Sequence, residues 1–351
     1  MAIEWTTNTH SIQVPAENPP KSVRFSPDGS VVAVVQSDSK FRLCSRNLEV
    51  SLLNLNTGGD VYDFDFYPGF NADAGDSCSV LIGSRNRPIR LFNVGSGVAV
   101  SAYTAYSFTD EIIHPLSIRF SPQCQTILGG FPQATVRVWD VQHPGRQTRD
   151  IVFSTRKSKI GQKGIISAIE YFDENMFFAG SYSNSICMYD MRDKNAACNE
   201  IGTGTAEFGG VVQLKAKDHT LISGHRMDTQ IHVWDTRNAG TPLMSLPRIV
   251  KTHQRFEFDL FSVNEKKLLL TGDHYGDLTM FDLSHDGDIV FQKNISKSVP
   301  LVSVSVASDG TVATASGMRH FPKVAISDSS ESEEMEDDIT GCISIHSVVL
   351  S

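Results

Sequence analysis

Cysteine is scarce and scattered: Cys44, Cys78, Cys124, Cys187, Cys198 and Cys342 are spread through 351 residues with no C-x-x-C pair among them. That spacing argues against a zinc knuckle or a dithiol centre and predicts buried free thiols. No apolar run approaches the length that crosses a bilayer, and Met1 to His10 has neither the basic nor the apolar region of a signal peptide. A soluble, intracellular protein with no membrane partner is expected. Catalytic signatures are missing as well, since no G-x-S-x-G elbow, P-loop or H-E-x-x-H helix can be found. The eleven histidines are dispersed, with His219, His225 and His232 on different strands and loops. The expectation is therefore a non-enzyme with no catalytic residues, no metal, no cofactor and no small-molecule substrate.

What the chain does have is repetition. Seven short strands of one design recur: Phe41 to Ser45 (FRLCS), Ile89 to Asn93 (IRLFN), Val136 to Asp140 (VRVWD), Ile186 to Asp190 (ICMYD), Ile231 to Asp235 (IHVWD), Leu278 to Asp282 (LTMFD) and Ile343 to Ser347 (ISIHS). Their last residues lie 48, 47, 50, 45, 47 and 65 positions apart. A period near 45, with apolar and polar residues alternating and the strand often closing on Trp-Asp or a relic of it, is the signature of an all-β WD-repeat propeller. Ahead of most of these strands comes an alternating strand and a turn, as in Val23 to Val35, Ile118 to Gly130 and Val304 to Ser316. Pro-Asp-Gly and Ser-Asp-Gly supply the turn, because Pro fixes φ and Gly accepts φ above zero.

After each of the first six copies comes a less regular segment suited to an outer strand, such as Glu49 to Asn54 or Asp288 to Lys293. The seventh outer strand is missing at the C-terminal end. An alternating segment left over at the other end, Trp5 to Val14, can take that place and close the ring, which removes exposed sheet edges. The sequence thus predicts one seven-bladed propeller over residues 3–349, closed by its N-terminal strand.

The formal charge of −9 is unevenly placed. Seven negative charges fall in Ile326 to Asp338 (ISDSSESEEMEDD), which leaves −2 for the rest of the chain. This run explains the 65-residue interval, because it interrupts the last repeat. A segment that repels itself and buries nothing is expected to be a disordered insertion, residues 326–340. Ser330 stands three positions before Glu333, a context for an acid-directed kinase.

Propeller topology sorts the remaining charges by face. Loops joining a blade's second and third strands, and loops joining one blade's outer strand to the next inner strand, open on the same rim. On that rim fall Arg85, Arg87, Arg156, Lys157, Lys159, Lys163, His225, Arg226, Lys251, His253, Arg255, Arg319 and His320, interleaved with Phe131, Tyr182, Tyr275 and Phe321. Cations among aromatic faces suit single-stranded nucleic acid, because they neutralise phosphates and give unstacked bases a platform. A solvated rim, with arginines paired to carboxylates such as Asp228 or Glu257, is the other reading of the same residues.

Several segments lie outside the generic repeat. NRPIRLFN, Gly161 to Tyr171 (GQKGIISAIEY), Trp234 to Arg248 (WDTRNAGTPLMSLPR), Thr252 to Leu260 (THQRFEFDL), Ala313 to Pro322 (ATASGMRHFP) and the HPGR of His143 to Arg146 together resemble the telomerase Cajal body protein family. The resemblance runs in order through essentially the whole propeller. It implies an RNA-binding WD-repeat protein that recognises a loop element of small Cajal body RNAs and telomerase RNA. It also implies partnership with the proteins of those ribonucleoproteins, delivery to Cajal bodies, and support of telomerase assembly and telomere maintenance. A monomeric propeller in the nucleus, with the cytoplasm as a second location, follows from the same likeness. The larger members carry a long N-terminal extension and a Gly-rich tail that this sequence does not contain.

A rival belongs to the interaction class. Trp234-Asp235-Thr236-Arg237 and Tyr189-Asp190-Met191-Arg192 resemble the WD-x-R box of substrate receptors that dock on cullin ubiquitin-ligase adaptors. The structural alternative is an arginine that pairs across neighbouring blades of an ordinary propeller scaffold.

Overall fold

A computed structural model describes residues 3–107, 109–154, 157, 161–193, 198–202, 209–263, 265–319 and 341–350. The described chain is all β and forms seven sheets arranged as the blades of a propeller. Blades one to six are each built on four antiparallel strands in chain order; blade two gains two short strands, Ile112–Ile113 and Gly145–Arg146, the latter falling in the chain between the third and outer strands of blade three. The inner strands of these six blades are Pro20–Phe25, Val61–Phe66, Ser117–Phe120, Ile166–Tyr171, Val211–Lys217 and Phe258–Val263. The seventh blade begins with Leu301–Val306 and is completed from the other end of the chain. Its third strand, Gly341–Leu350, pairs antiparallel with Ile3–Val14, with Ile12 opposite Ile343. The ring is therefore closed by the N-terminal strand, as the leftover alternating segment predicts.

The second strand of each blade is packed on both faces, so it reads as a continuous apolar run rather than an alternation. Val31–Gln36 and Ser79–Ser84 are buried at every position. Neighbouring blades share apolar layers, one of them built from Phe41, Leu43, Phe64, Phe66, Val80 and Ile82. Trp139 and Trp234 are buried in such layers. The turn after the first inner strand is held by Gly29, whose φ of 69° suits glycine and whose N–H donates to the Ser26 carbonyl over 2.8 Å.

The polar positions of the third strands stitch blades together. Arg90 donates to the Thr57 carbonyl and Arg137 to the Tyr106 carbonyl, each over 2.7 Å, at the end of the preceding outer strand. The HPGR segment has a local role too: Gly145–Arg146 pairs in parallel with Tyr103 and Thr104 and covers the outer edge of blade two. The Arg146 guanidinium lies 5.7 Å from the Tyr106 ring centroid.

Two expectations are corrected here. Cys187 and Cys198 form a disulfide, and of the four free thiols only Cys44 and Cys78 are buried. The third strand of blade four pairs Cys187 with Glu200, so Cys198 lies diagonally across on the same face, a geometry that cysteine spacing alone does not reveal. Arg192 and Arg237 do not bridge blades. Each turns back on the aspartate of its own repeat, to Asp190 over 2.6 Å and Asp235 over 2.8 Å, because the chain turns immediately after that aspartate.

Candidate nucleic-acid interface

The inner strands place polar side chains on the central channel, and these meet as ion pairs. Asp63 accepts from Arg24 over 3.0 Å and from Arg119 over 2.9 Å. Arg24 also donates to Glu257 over 2.5 Å, Arg119 reaches Glu170 at 3.5 Å, and Lys215 pairs with Asp259. Burial alone would raise the Asp63 carboxyl; Arg119, Arg24 and Arg255 outweigh it and hold it well below the usual carboxylate range.

Arg255 lies across the channel at this level. Its Nε donates to the Val212 carbonyl over 2.9 Å, one Nη to Ser167 over 3.1 Å and the other to Tyr62 over 3.4 Å, so one guanidinium joins blades two, four and five. Above it opens a cavity of about 680 Å³ on the expected rim, bordered by Lys21, Tyr62, Tyr182, Lys251, Arg255 and Arg319 among others. That volume is in the range of pockets that enclose a small organic group, roughly 300–1,000 Å³.

Cations stand over aromatic rings around this mouth. The Arg226 guanidinium is 3.9 Å from the Tyr182 centroid, and Lys251 Nζ is 5.1 Å from that of Tyr275. Lys251 also donates to the Tyr275 hydroxyl. Arg85, Arg87 and Arg319 are exposed. Lys163 is half-buried and accepts the Ser181 hydroxyl at its carbonyl.

Glycines let these loops lie close to one another. A Cβ on Gly209 would fall 1.6 Å from the Arg226 carbonyl oxygen, and one on Gly164, at φ 85°, 2.1 Å from Ser183 Oγ.

The structure revises several predicted positions. Phe131 is not a rim platform: it ends a second strand, is fully buried, and packs 6.1 Å from Trp139 in the layer between blades. His225 is likewise buried, and burial pushes its imidazole down to about 4, so it is no surface cation. The carboxylates suggested as partners of rim arginines are engaged elsewhere, Glu257 by Arg24 and Asp228 by His232 at 3.3 Å. Arg156, Lys159, His320, Phe321, the insertion at 326–340 and Ser330 lie outside the described residues.

Four site residues went unnoticed in the sequence: Lys21, Asp60, Tyr62 and His114. All lie in or beside loops leading into inner strands, so the topological rule that found Lys251 would have found them. Lys21 stands 3.8 Å from Asp60. Burial lowers the Lys21 ammonium, and Arg319 adds to that, against the opposing pull of Asp60. Tyr62 stacks on His114 with centroids 4.9 Å apart and planes 10° from parallel.

Among the described residues no group of three or more His, Cys, Asp or Glu is placed to hold a metal, and no helix is long and apolar enough to cross a membrane.

Seven blades, six of four strands and one of six, the Trp-Asp third strands and the N-terminal closing strand define a WD-repeat β-propeller. Along most of its length the chain is homologous to proteins named telomerase Cajal body protein 1, as the segments outside the generic repeat imply. It is 30% identical to the human protein over 334 residues, covering 88% of this chain and 58% of that protein. It is 30% identical to the mouse protein over 335 residues, 88% of this chain and 60% of that protein. The Drosophila homologue is 27% identical over 338 residues, 90% of this chain and 59% of its own length. The chain thus spans about three-fifths of the curated relatives it matches. No family model matches it.

Proposed function

We propose that this protein binds RNA on the rim around its central channel. In this reading it recognises a loop element of small Cajal body RNAs and telomerase RNA and escorts the ribonucleoprotein to Cajal bodies in the nucleus, supporting telomerase assembly and telomere maintenance. It acts there as a monomeric, non-catalytic propeller. The observation that carries the reading is the mouth itself, where Arg226 over Tyr182 and Lys251 over Tyr275 flank a cavity at a face that also bears Arg85, Arg87 and Arg319. Charge for phosphates beside rings for bases is the combination single strands need. The names of the relatives tie them to telomerase and the Cajal body.

RNA crosslinked to the protein in nuclear extract should be small Cajal body RNA. With that RNA purified, changing Arg85, Arg87 and Arg319 together to Glu should weaken binding at least a hundredfold at low salt. The slope of log affinity against log salt should flatten by about 0.7 for each phosphate of a single strand that is no longer neutralised. Unchanged affinity and slope in this triple variant would place the RNA elsewhere. Arg255 is left out of this set because its N–H groups serve backbone carbonyls.

A second reading rests on Arg192 and Arg237, which are 67% and 68% exposed at turns on the opposite face. That leaves the WD-x-R boxes open to a cullin adaptor. Adaptor subunits, instead of RNA, would then co-purify with the protein.

A further inference from the structure

The cavity at the channel mouth has a floor whose charges are already matched. Asp63 and Glu257 are both paired with Arg24, and Arg255 stands 3.7 Å from Asp63, so a phosphate placed deep inside would meet ion pairs in place of an uncommitted cation. Val61, Leu116 and Met318 make other parts of the wall apolar. Arg255 donates one N–H from each of its three nitrogens to the Val212, Ser167 and Tyr62 carbonyls, which fixes the orientation of the guanidinium plane. Guanidinium planes stack on nucleobases.

Tyr62 supplies the platform. It is 37% exposed, lines the cavity, and has one ring face covered by His114. His114 is in turn fixed by the Asn86 N–H, which donates to its Nδ1 over 3.1 Å. Burial, with Arg85 nearby, lowers the imidazole below its usual range, so it backs the phenol as a neutral ring. The Asn86 bond also links this stack to the loop that carries Arg85 and Arg87.

We propose that the cavity seats one unstacked base of the bound RNA against Tyr62, with Lys21, Lys251 and Arg319 at the mouth reaching the flanking phosphates. His114 is a positioning residue for that platform. The proposal rests on the RNA-binding reading and adds to it a base seat whose platform, Tyr62 backed by His114, lies outside the predicted cationic set.

The probe is a fixed-stem hairpin RNA pool with a randomised loop, from which one tight binder is taken. Tyr62→Ala should weaken its binding about 5- to 150-fold, the range for one stacked base, by the same factor at every salt concentration and with the salt slope unchanged. Tyr62→Trp should restore most of the affinity. One loop position made abasic should cost wild-type protein a similar factor and cost Tyr62→Ala almost nothing more. The wild-type half of that measurement needs no folded variant. Wild-type affinity in Tyr62→Ala, a weakening that arrives with a flattened salt slope, or the absence of any such abasic position would each overturn the base seat while RNA binding stands. Failure of the wild-type protein to retain any pool member at low salt would overturn the RNA-binding reading and the seat with it.

Discussion

Replacing Asp63 by Ala should cost about 3 to 5 kcal/mol, the range for removing one partner from a buried ion network. The carboxylate is 1% exposed and accepts from Arg24, Arg119, the Ser117 hydroxyl and the Ile118 N–H, over 3.0, 2.9, 3.2 and 3.0 Å. Arg255 stands 3.7 Å away. One side chain on blade two thus holds blades one and three and the loop entering blade six. Without it three guanidiniums share the channel with Glu257 and Glu170, whose own positions depend on the same arginines. The pH dependence has a definite sign. Since the folded carboxyl is held below its unfolded value of about 3.9, its contribution is fully present above that pH and is lost as pH falls through the lower folded value. Urea unfolding of wild type and variant should therefore give a difference that is flat above about pH 7 and shrinks below about pH 4, with a step between from Asp65, whose carboxyl is pushed up to about 6 by burial and in part by Asp63. A difference under about 1 kcal/mol at pH 7, the scale of a surface pair, would mean that the channel ion pairs do not hold the ring.

Much of this architecture was legible because a propeller repeats its instructions. Seven third strands with alternating polarity fixed the number of blades, and the unpaired segment ahead of Pro15 had one vacant edge to fill. Side-chain depth was harder to read. Phe131 is the last residue of a second strand and turns into the layer with Trp139, whereas Tyr182 comes one position later, after its strand has ended at Ser181, and lines the cavity under Arg226. Successive strand residues point to opposite faces, so this one-residue offset decides depth, and reading it requires strand ends placed to the residue. Arg255 shows another limit: its place in a rim loop was predictable, but its reach to carbonyls of blades two, four and five depends on ring closure. The rule for rim loops reaches Tyr62 and His114 one at a time but not their stack, which forms only when blades two and three meet.

Trp234→Ala should also cost about 3 to 5 kcal/mol, as large aromatic truncations in cores do, and its effect should reach the rim. The indole is 1% exposed and packs with Ala168, Phe178 and Val211. Its Nε1–H donates to Ser223 Oγ over 2.9 Å, and Ser223 Oγ lies 2.9 Å from His225 Nε2. His225 Nδ1 is 2.8 Å from the Gly209 carbonyl, which can only accept, so Nδ1 carries the proton. A neutral ring then accepts at Nε2, and the serine hydroxyl donates to it. The chain of donors runs in one direction from Trp234 to Gly209, and Gly209 packs flush against the loop that carries Arg226. Burial keeps His225 near a pKa of about 4. Its folded value is thus depressed below the unfolded one, and the stability it contributes is present above about pH 6.5 and falls away as pH drops toward 4. Trp234→Phe keeps most of the volume but strands the serine lone pair, and should cost about 1 to 3 kcal/mol. In both variants RNA affinity, measured well below the melting temperature, should fall through Arg226 alone, by less than the triple charge reversal on the rim. Thermal unfolding that matches wild type in Trp234→Ala would contradict the packing assigned to blade five. Full destabilisation with RNA affinity untouched would sever the path from the indole to Arg226.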